Sequence, residues 1–518
     1  MFEVKGKDLA GRIGKLTTPH GALETPFLFP VVDPLRQLPR LSDIERIGFN
    51  GVITNAYLFY ARNSGAPKSI HKELSWHNTI MTDSGGYQIL VYGGVGVDNK
   101  TIVEYQKAIG TDIGVILDIP TGSKMSYEEA ERSVYETYKR GVEALALVMD
   151  SEQLWTYPIQ GAPFRELLLR SAIMASKLPY HIYAIGSPTL MLEKYEYSKL
   201  VELTALVRMH TPINKPLHVF GVGHPMVIPF LVAVGGDLFD SASYVLYARD
   251  GRYMTEAGTK DIRELSYFPC ICPICSKYSP EDLLEMPSTE RAELLAKHNL
   301  YMLSREIRAT KQAIRENRLW ELLEHRSRAH PSLLEAFEAV KRYIKFIDRH
   351  SPLTVPGGRA TWVLSNESYL NPKIRLNARR AKEISLKDAS GKVVVLVPAH
   401  KKPYTSQQEY LELLGKSQGL DNVKLMFLHP VLGVFTPGAS STFPFYQHEC
   451  KISRRLIKAN KIASFISEIA GRGAQKVIVV KTAWLSENLA GSIHRKLRER
   501  GTDITICRLD EVFSQILQ

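Results

Sequence analysis

The sequence predicts an α/β protein in which a (β/α)8 TIM barrel is followed by a smaller α/β C-terminal domain. Within the first 250 residues, short apolar runs end in polar or glycine residues eight times, and segments with apolar positions three and four apart separate them. Eight alternating strands and helices are typical of a β/α barrel. A chain of 518 residues has room for such a barrel and a second domain.

The predicted strand ends indicate where a barrel enzyme would hold its active site. The eight runs end at Asp33, Asn55, Gly86, Pro120, Gly161, Ser187, Gly223 and Ser243. Active sites of such barrels lie at the carboxyl ends of the strands. Because Asp83, Asp118, Gln160 and Asp240 lie at or beside these ends, the sequence predicts four polar side chains around one mouth.

Charged helical segments from about residue 287 to residue 350 are expected to complete the barrel domain, residues 1–350. Prolines and glycines then predict a linker over residues 351–370. The strand candidates KVVVLVPAH, NVKLMFLHP and QKVIVVKTAW alternate with helical stretches in residues 371–518. They predict a small α/β C-terminal domain.

This C-terminal domain carries the whole excess of positive charge. Residues 371–518 contain 24 Lys and Arg against 12 Asp and Glu, whereas residues 1–370 contain 42 of each. A solvated basic surface would explain the excess, and so would contacts with nucleic-acid phosphates, which the asymmetry favours. The N-terminal residues show scattered charges and no apolar segment, so we expect a cytoplasmic protein without a membrane partner.

Three of the five cysteines form a metal-binding pattern. Cys270, Cys272 and Cys275 fall within six positions, too close together for an ordinary disulfide framework. With His298 they offer three thiolates and one imidazole, a complete tetrahedral ligand set for one Zn²⁺ per chain. Four protein ligands leave no position for water, so the predicted zinc is structural and belongs to a subdomain of about residues 265–300.

Two further motifs lie at predicted strand ends and extend from Thr82 to Gln88 (TDSGGYQ) and from Asp237 to Tyr244 (DLFDSASY). Their order, with the cysteine motif about 30 residues after Asp240, resembles the tRNA-guanine transglycosylase family over about residues 1–345. The stretch FDSASYVLYARDGRYMT is similar to the archaeal branch, whereas bacterial and eukaryotic members have Cys-x-x-Pro-Thr-Arg after the nucleophile.

The resemblance implies a glycosyltransferase that exchanges guanine 15 in the D-arm of tRNA for free 7-cyano-7-deazaguanine, a step of archaeosine biosynthesis. It assigns the nucleophile that forms a covalent tRNA intermediate to Asp240 and the general acid/base to Asp83. Exchange with retention at C1′ requires two displacements, as in a retaining glycosidase, so one carboxylate must attack while another transfers protons. The implied partners are tRNA and the free base.

Six further residues match base-binding positions of the family: Ser84, Tyr87, Asp118, Gln160, Gly186 and Ser187. Asp118 and Gln160 can pair with a purine edge, and Tyr87 can stack on the ring. Ser187 and Pro188 stand where relatives have Gly followed by an aliphatic residue. Because Pro188 lacks a backbone N–H, the preference of this part of the pocket among bases stays open.

Residues 371–518 resemble the α/β domain of archaeosine synthase, a paralogue, which has Pro-Cys before its Lys-Pro-Tyr. This chain has Pro398-Ala399 instead, which favours a domain kept for RNA binding and shape. An archaeosine synthase that acts on an already inserted base, or a non-catalytic tRNA-binding subunit, are the alternatives. The presence of both Asp83 and Asp240 disfavours them.

The pattern after Gly471 is α/β, whereas archaeal relatives commonly end in a β-rich PUA domain that binds tRNA. We therefore expect a separately encoded PUA-domain subunit that joins this chain and raises its affinity for tRNA. The alternative is that a basic helix from Lys451 to Lys461 replaces that domain. The sequence leaves open whether the chain forms a homodimer.

Overall fold

The computed structural model describes residues 1–86, 96–122, 124–186, 189–355, 357, 359–453 and 456–518, without the side chains of residues 189 and 190. The chain forms two compact units, Met1–His350 and Ser351–Gln518. No helix in these described ranges is long and apolar enough to cross a membrane.

An antiparallel sheet precedes the barrel, and the sequence analysis did not predict it. It consists of β1 (Phe2–Asp8), β2 (Gly11–Thr18) and β3 (Gly21–Thr25) in that order. Side chains of β1 alternate between exposed and partly buried positions, as expected for a strand with one face in solvent.

The predicted barrel is confirmed. Its strands are β4 (Phe27–Pro30), β5 (Gly51–Asn55), β6 (Thr79–Asp83), β7 (Ile113–Val115), β8 (Leu154–Ile159), β9 (Ile182–Ile185), β10 (Leu217–Val219) and β11 (Leu238–Ser241). Neighbours in sequence are parallel neighbours in the sheet, and β11 pairs with β4. A parallel bridge between Val31 and Ile53 connects β4 to β5 and completes the ring. The carboxyl ends of all eight strands therefore face the same mouth.

Helices between and after the strands cover the barrel. They are Leu41–Ile47, Ala56–Arg62, Ile70–Leu74, Asn99–Ala108, Tyr127–Val148, Arg165–Ala175, Thr189–Glu193, Tyr197–His210, Ile228–Ala233, Ser243–Arg249, Pro280–Glu285, Ser288–Glu316, Leu319–Arg326, Pro331–Arg342 and Ile344–His350. Local sequence defines where they begin: Ser126 and Glu129 form a capping box at the start of the helix Tyr127–Val148. A hairpin of β12 (Arg252–Thr255) and β13 (Gly258–Asp261) follows the barrel.

The second unit is the predicted α/β domain. Its main strands are β15 (Val393–Pro398), β16 (Val423–His429), β17 (Gly433–Phe435), β19 (Lys476–Val480) and β20 (Thr505–Cys507), in the sheet order β17-β16-β15-β19-β20, with only β17 antiparallel to its neighbour. Its α-helices are Pro372–Ala389, Gln408–Lys416, Ala459–Ala470, Glu487–Arg498 and Val512–Leu517. The three predicted strands correspond to β15, β16 and β19. Two apolar clusters include residues of the sheet, and the central strand β15 is buried along its whole length.

Two details of this unit differ from the sequence expectations. Residues 361–370 are folded: β14 (Thr361–Trp362) pairs with β18 (His448–Glu449), and Val363 belongs to an apolar cluster. The predicted linker therefore does not describe this segment. The basic stretch from Lys451 to Lys461 is also not one helix, since the helix begins at Ala459.

A buried carboxylate fastens the N-terminal sheet to the amino-terminal side of the barrel. Asp112 precedes β7 and accepts hydrogen bonds from the backbone N–H of His20 at 2.8 Å and of Ile80 at 2.7 Å. Its oxygens also lie 2.9 Å from His20 Nδ1 and 3.3 Å from His71 Nε2. The centroids of the two imidazole rings lie 3.7 Å apart, and the rings are tilted by 30°. His20, His71 and Asp112 are close enough to share a metal ion. However, four nitrogens already face the Asp112 carboxylate, which indicates a cluster of ion pairs and hydrogen bonds.

Stability of the barrel unit is expected to depend on the charge of His71. Burial lowers the pKa of His71, but the Asp112 carboxylate and the Trp76 carbonyl outweigh it and raise the pKa above its usual value. The stabilisation is therefore full below about pH 6.5 and is lost as pH rises through the folded-state pKa. His71→Gln should lower the free energy of unfolding by on the order of 1–3 kcal/mol more at pH 5.5 than at pH 9. Denaturant unfolding at both pH values measures this, with His77→Gln as control. An equal loss at both pH values would contradict it.

Candidate active site

The polar side chains predicted at the strand ends surround one mouth of the barrel. Asp83 is the last residue of β6, Asp240 lies in β11, and Asp118 and Gln160 follow β7 and β8. In the parallel ladder of β5 and β6, Asn55 is opposite Asp83, and its Nδ2 donates to Asp83 Oδ2 at 3.1 Å. The carboxylate of Asp83 is thus oriented by a neighbouring strand.

Asp240 is held through one of its two carboxylate oxygens. His218 Nε2 lies 2.9 Å from Oδ1, and the backbone N–H of Gly221 donates to the same oxygen at 3.0 Å. Asp240 is 8% exposed, whereas His218 is completely buried in β10. The carboxylate therefore reaches the mouth from a fixed position.

Asp118 and Gln160 form a second polar pair. Gln160 Nε2 donates to Asp118 Oδ2 at 2.5 Å, and Gln160 Oε1 accepts the backbone N–H of Thr121 at 3.0 Å. Two glycines adjoin the pair: a Cβ at Gly86 would lie 2.2 Å from Asp118 Oδ1, and a Cβ at Gly186 would lie 2.1 Å from Gln160 Nε2. A larger residue at either position would displace Asp118 or Gln160, so the two glycines let this pair keep its arrangement.

Of the other residues predicted to contact the base, the structure describes some and not others. Ser84 lies beside Asp83 but is fully buried, and its hydroxyl donates to the carbonyl of Ile116 at 3.0 Å. Tyr87, Ser187 and Pro188 lie outside the described residues.

Two carboxyl groups at the mouth, those of Asp83 and Asp118, have raised pKa values. Burial, together with the charges of Asp118 and Asp240, raises the pKa of Asp83 to about 7, although backbone N–H groups of Gly85 and Ser84 oppose this. Burial likewise raises the pKa of Asp118 to about 6, against the hydrogen bond from Gln160. A carboxyl group with a pKa near neutrality can both give and take a proton.

Asp83→Asn is expected to stabilise the barrel unit at pH 8. Because the folded-state pKa of Asp83 is above its ordinary value, the cost of ionising it grows from about pH 4 to about pH 7 and is complete above that range. The increase in melting temperature over the unaltered protein should therefore be larger at pH 8 than at pH 5. Thermal unfolding of both proteins tests this, with the exposed Asp150→Asn as control. The same shift at both pH values would refute the assignment of a buried, protonated Asp83.

The predicted metal ligands come together next to the barrel. Cys272 Sγ and Cys275 Sγ lie 3.6 and 3.3 Å from His298 Nδ1, and Cys270 Sγ accepts the backbone N–H of Cys272 at 3.4 Å. All four ligand atoms lie within 4.8 Å of one another. Three thiol groups and an imidazole at this spacing could hold one metal ion.

The surroundings of His298 fit a ligand role. Its Nε2 donates to the Met254 carbonyl at 2.9 Å, so the hydrogen sits on Nε2 and the lone pair of Nδ1 faces the sulfurs. Histidine ligands of metals usually donate their other ring N–H in this way. The Tyr253 ring stacks on the imidazole at 3.7 Å. The next residue, Asn299, binds Met254 N and the carbonyls of Tyr244 and Arg252.

Sequence analysis did not identify Asn55 and His218 as site residues. Asn55 was recognised as a strand end, but only the register of β5 against β6 places its amide on Asp83. His218 sits in the apolar run LHVF, where a lone histidine gives no signal by itself. Its parallel pairing with Leu238, two residues before Asp240, brings it to the carboxylate.

Known proteins agree with this architecture. The family model described as queuine tRNA-ribosyltransferase matches residues 8–332. A protein of Aeropyrum pernix named tRNA-guanine(15) transglycosylase is 44% identical over 484 residues, which cover 91% of this chain and 93% of that protein. A protein of the same name from Sulfolobus acidocaldarius is 39% identical over 90% of this chain and 93% of its own length. For the one from Methanocaldococcus jannaschii the identity is 38%, over 86% of this chain and 68% of that protein.

The matched residues include the whole barrel, the polar mouth and the cysteine–histidine group, and the relatives extend the match into the second unit. The family predicted from the motifs is therefore confirmed: the chain belongs to the queuine tRNA-ribosyltransferase family, and the relatives it matches over almost their full length are archaeal tRNA-guanine transglycosylases.

Proposed function

We propose that this enzyme removes guanine 15 from tRNA and inserts 7-cyano-7-deazaguanine through a covalent intermediate on Asp240. The observation that carries the proposal is that two carboxyl groups with different surroundings lie at one mouth. Asp240 is fixed through Oδ1, and burial beside other carboxylates raises the pKa of Asp83 to about 7. One group suits nucleophilic attack and the other suits proton transfer.

The first displacement forms the covalent intermediate. An oxygen of Asp240 attacks C1′ of the target ribose, the C1′–N9 bond breaks, and Asp83 supplies the proton with which guanine leaves. In the second displacement the ring nitrogen of the incoming base attacks C1′, the ester bond to Asp240 breaks, and Asp83 takes up the proton from that base. Two inversions retain the configuration of the sugar. Protons, bonds and charges balance over the cycle.

Base recognition is assigned to Asp118 and Gln160. Together they offer carboxylate and amide oxygens that accept from ring N–H and amino groups, and an amide N–H that donates to a carbonyl. Gly86 and Gly186 have no Cβ that would collide with Asp118 or Gln160. A guanine within folded tRNA has to leave its stack to enter, so the D-arm must open locally.

The second unit and the metal group are assigned supporting roles. The twofold excess of Lys and Arg over Asp and Glu in residues 371–518 suits contacts with tRNA phosphates. We assign Zn²⁺ to Cys270, Cys272, Cys275 and His298, with a structural role, because soft thiolates and an imidazole in a four-ligand set suit this ion and leave no open position.

Incorporation of a free base into defined tRNA tests the proposal. Unmodified tRNA is incubated with the enzyme and 7-cyano-7-deazaguanine, 7-aminomethyl-7-deazaguanine or guanine, and the nucleosides are identified by mass spectrometry. The expected result is incorporation of 7-cyano-7-deazaguanine into wild-type tRNA and none into tRNA with adenine at position 15. Incorporation elsewhere, or action only on tRNA that already carries the modified base, would reject the proposal.

A further inference from the structure

The two oxygens of Asp240, the nucleophile of the proposed mechanism, differ in the hydrogen bonds that they accept from the protein. Both donors to Asp240, His218 Nε2 at 2.9 Å and the Gly221 backbone N–H at 3.0 Å, reach Oδ1. Within the described part of the chain, Oδ2 accepts no hydrogen bond. The two oxygens of one carboxylate thus receive different hydrogen bonds from the described residues, and these residues leave all the lone pairs of Oδ2 available to a substrate.

The imidazole of His218 is itself held in one orientation. It is completely buried, with the Phe29 ring stacked at 5.9 Å and the Phe220 ring at 4.5 Å. Because a carboxylate oxygen accepts, Nε2 carries the hydrogen that points to Asp240. Nδ1 is buried and has no hydrogen-bond partner among the described residues. A hydrogen on Nδ1 would therefore be a buried donor without an acceptor among the described residues, which is costly, whereas a hydrogen on Nε2 is bound by Asp240.

We propose that His218 is a positioning residue that, with the Gly221 N–H, turns the Asp240 carboxylate so that Oδ2 faces C1′ of the tRNA. The inference rests on the proposed function. His218 transfers no proton in this role, because attack by the Asp240 carboxylate on C1′ neither takes up nor releases a proton at Asp240. Its contribution is geometric: a carboxylate held by a single backbone donor can rotate, and misplacement of a nucleophile by about 1 Å can reduce a rate about 100-fold.

Two substitutions of similar length separate positioning from packing. His218→Gln keeps a nitrogen donor near the place of Nε2, whereas His218→Met puts a methyl group there. Each variant is compared with the unaltered enzyme in three measurements. These are the single-turnover rate of covalent tRNA–enzyme adduct formation, equilibrium tRNA binding with Asp240→Asn added to each protein so that no adduct forms, and the melting temperature.

We expect His218→Met to form the adduct about 100-fold more slowly, with tRNA binding within about twofold of the unaltered enzyme. His218→Gln should recover at least a tenth of the lost rate. Adduct formation by His218→Met at the unaltered rate would overturn the inference. So would equal losses in both variants, or losses that follow melting temperature or tRNA binding. If the unaltered enzyme forms no adduct at all, it is the proposed function that fails.

Discussion

Replacement of Asp240 by Asn is expected to abolish base exchange and the covalent tRNA adduct, with a loss of at least about 10,000-fold in rate, as for other enzymes that lose their nucleophile. The amide has the shape of the carboxylate and can still accept from His218 and Gly221, so folding and tRNA binding should survive. It lacks the negative charge and the lone-pair strength needed to attack C1′.

Denaturing gel electrophoresis of enzyme mixed with labelled tRNA measures the adduct directly, and incorporation of labelled base measures turnover. The exposed Asp250→Asn, only ten residues away, is a matched control and should behave like the unaltered protein. An adduct that persists in Asp240→Asn would place the nucleophile elsewhere at the mouth, with Asp83 the first alternative.

Loss of the metal is expected to produce the largest change in stability. Structural zinc sites contribute about 10–16 kcal/mol of apparent binding free energy in isolated peptides, and part of this should appear here as folding free energy. Cys275→Ser removes one thiolate next to His298 Nδ1, which lies 3.3 Å away. We expect metal content to fall below half of one ion per chain and the melting temperature to drop by on the order of 10 °C.

Elemental analysis and thermal unfolding, carried out on the same preparation, test both expectations. Cys450→Ser is the control, because this thiol lies in the second unit and outside the metal-binding group. A Cys275→Ser protein that keeps a full metal ion, or one that loses the ion without loss of stability, would contradict a structural metal.

The barrel could be predicted because its strands are buried on both faces. The strands of the ring are short and buried along most of their length, as Ile113–Val115 shows with three buried residues. The same rule failed for the N-terminal sheet. Strand β1 has one face in solvent, so exposed and partly buried residues alternate along it and several of them are charged. It therefore lacks the continuous apolar run by which the barrel strands were predicted.

The candidate site was only partly accessible to sequence reasoning. Asp83 and Asp240 follow apolar runs and match family motifs, so their positions could be stated in advance. The partners of these carboxylates could not be predicted, because they lie on neighbouring strands. Asn55 is 28 residues from Asp83 in the sequence, and His218 is 22 residues from Asp240. Such contacts depend on the register between neighbouring strands, which no local pattern in one strand contains.

The linker prediction failed for a related reason. Proline and glycine at Pro352 and Gly357 indicate a break in regular structure, and the boundary between the two units does fall at Ser351. The residues that follow are nevertheless folded, since Thr361 and Trp362 pair with a strand almost ninety positions later. A pairing of two residues at that separation leaves no periodicity in the sequence.

Asn299 connects the cysteine–histidine group to backbone atoms outside that group. It stands next to His298 on the helix Ser288–Glu316, and its side chain binds backbone atoms of Tyr244, Arg252 and Met254. Tyr244 is four residues from Asp240, so the Asn299 side chain connects the proposed metal site to the short segment between β11 and the helix Ser243–Arg249. Slow removal of the ion by a chelator should therefore act first as an inhibitor: catalytic turnover would decline while circular dichroism still reports intact helices, and re-addition of the ion at that stage would restore it.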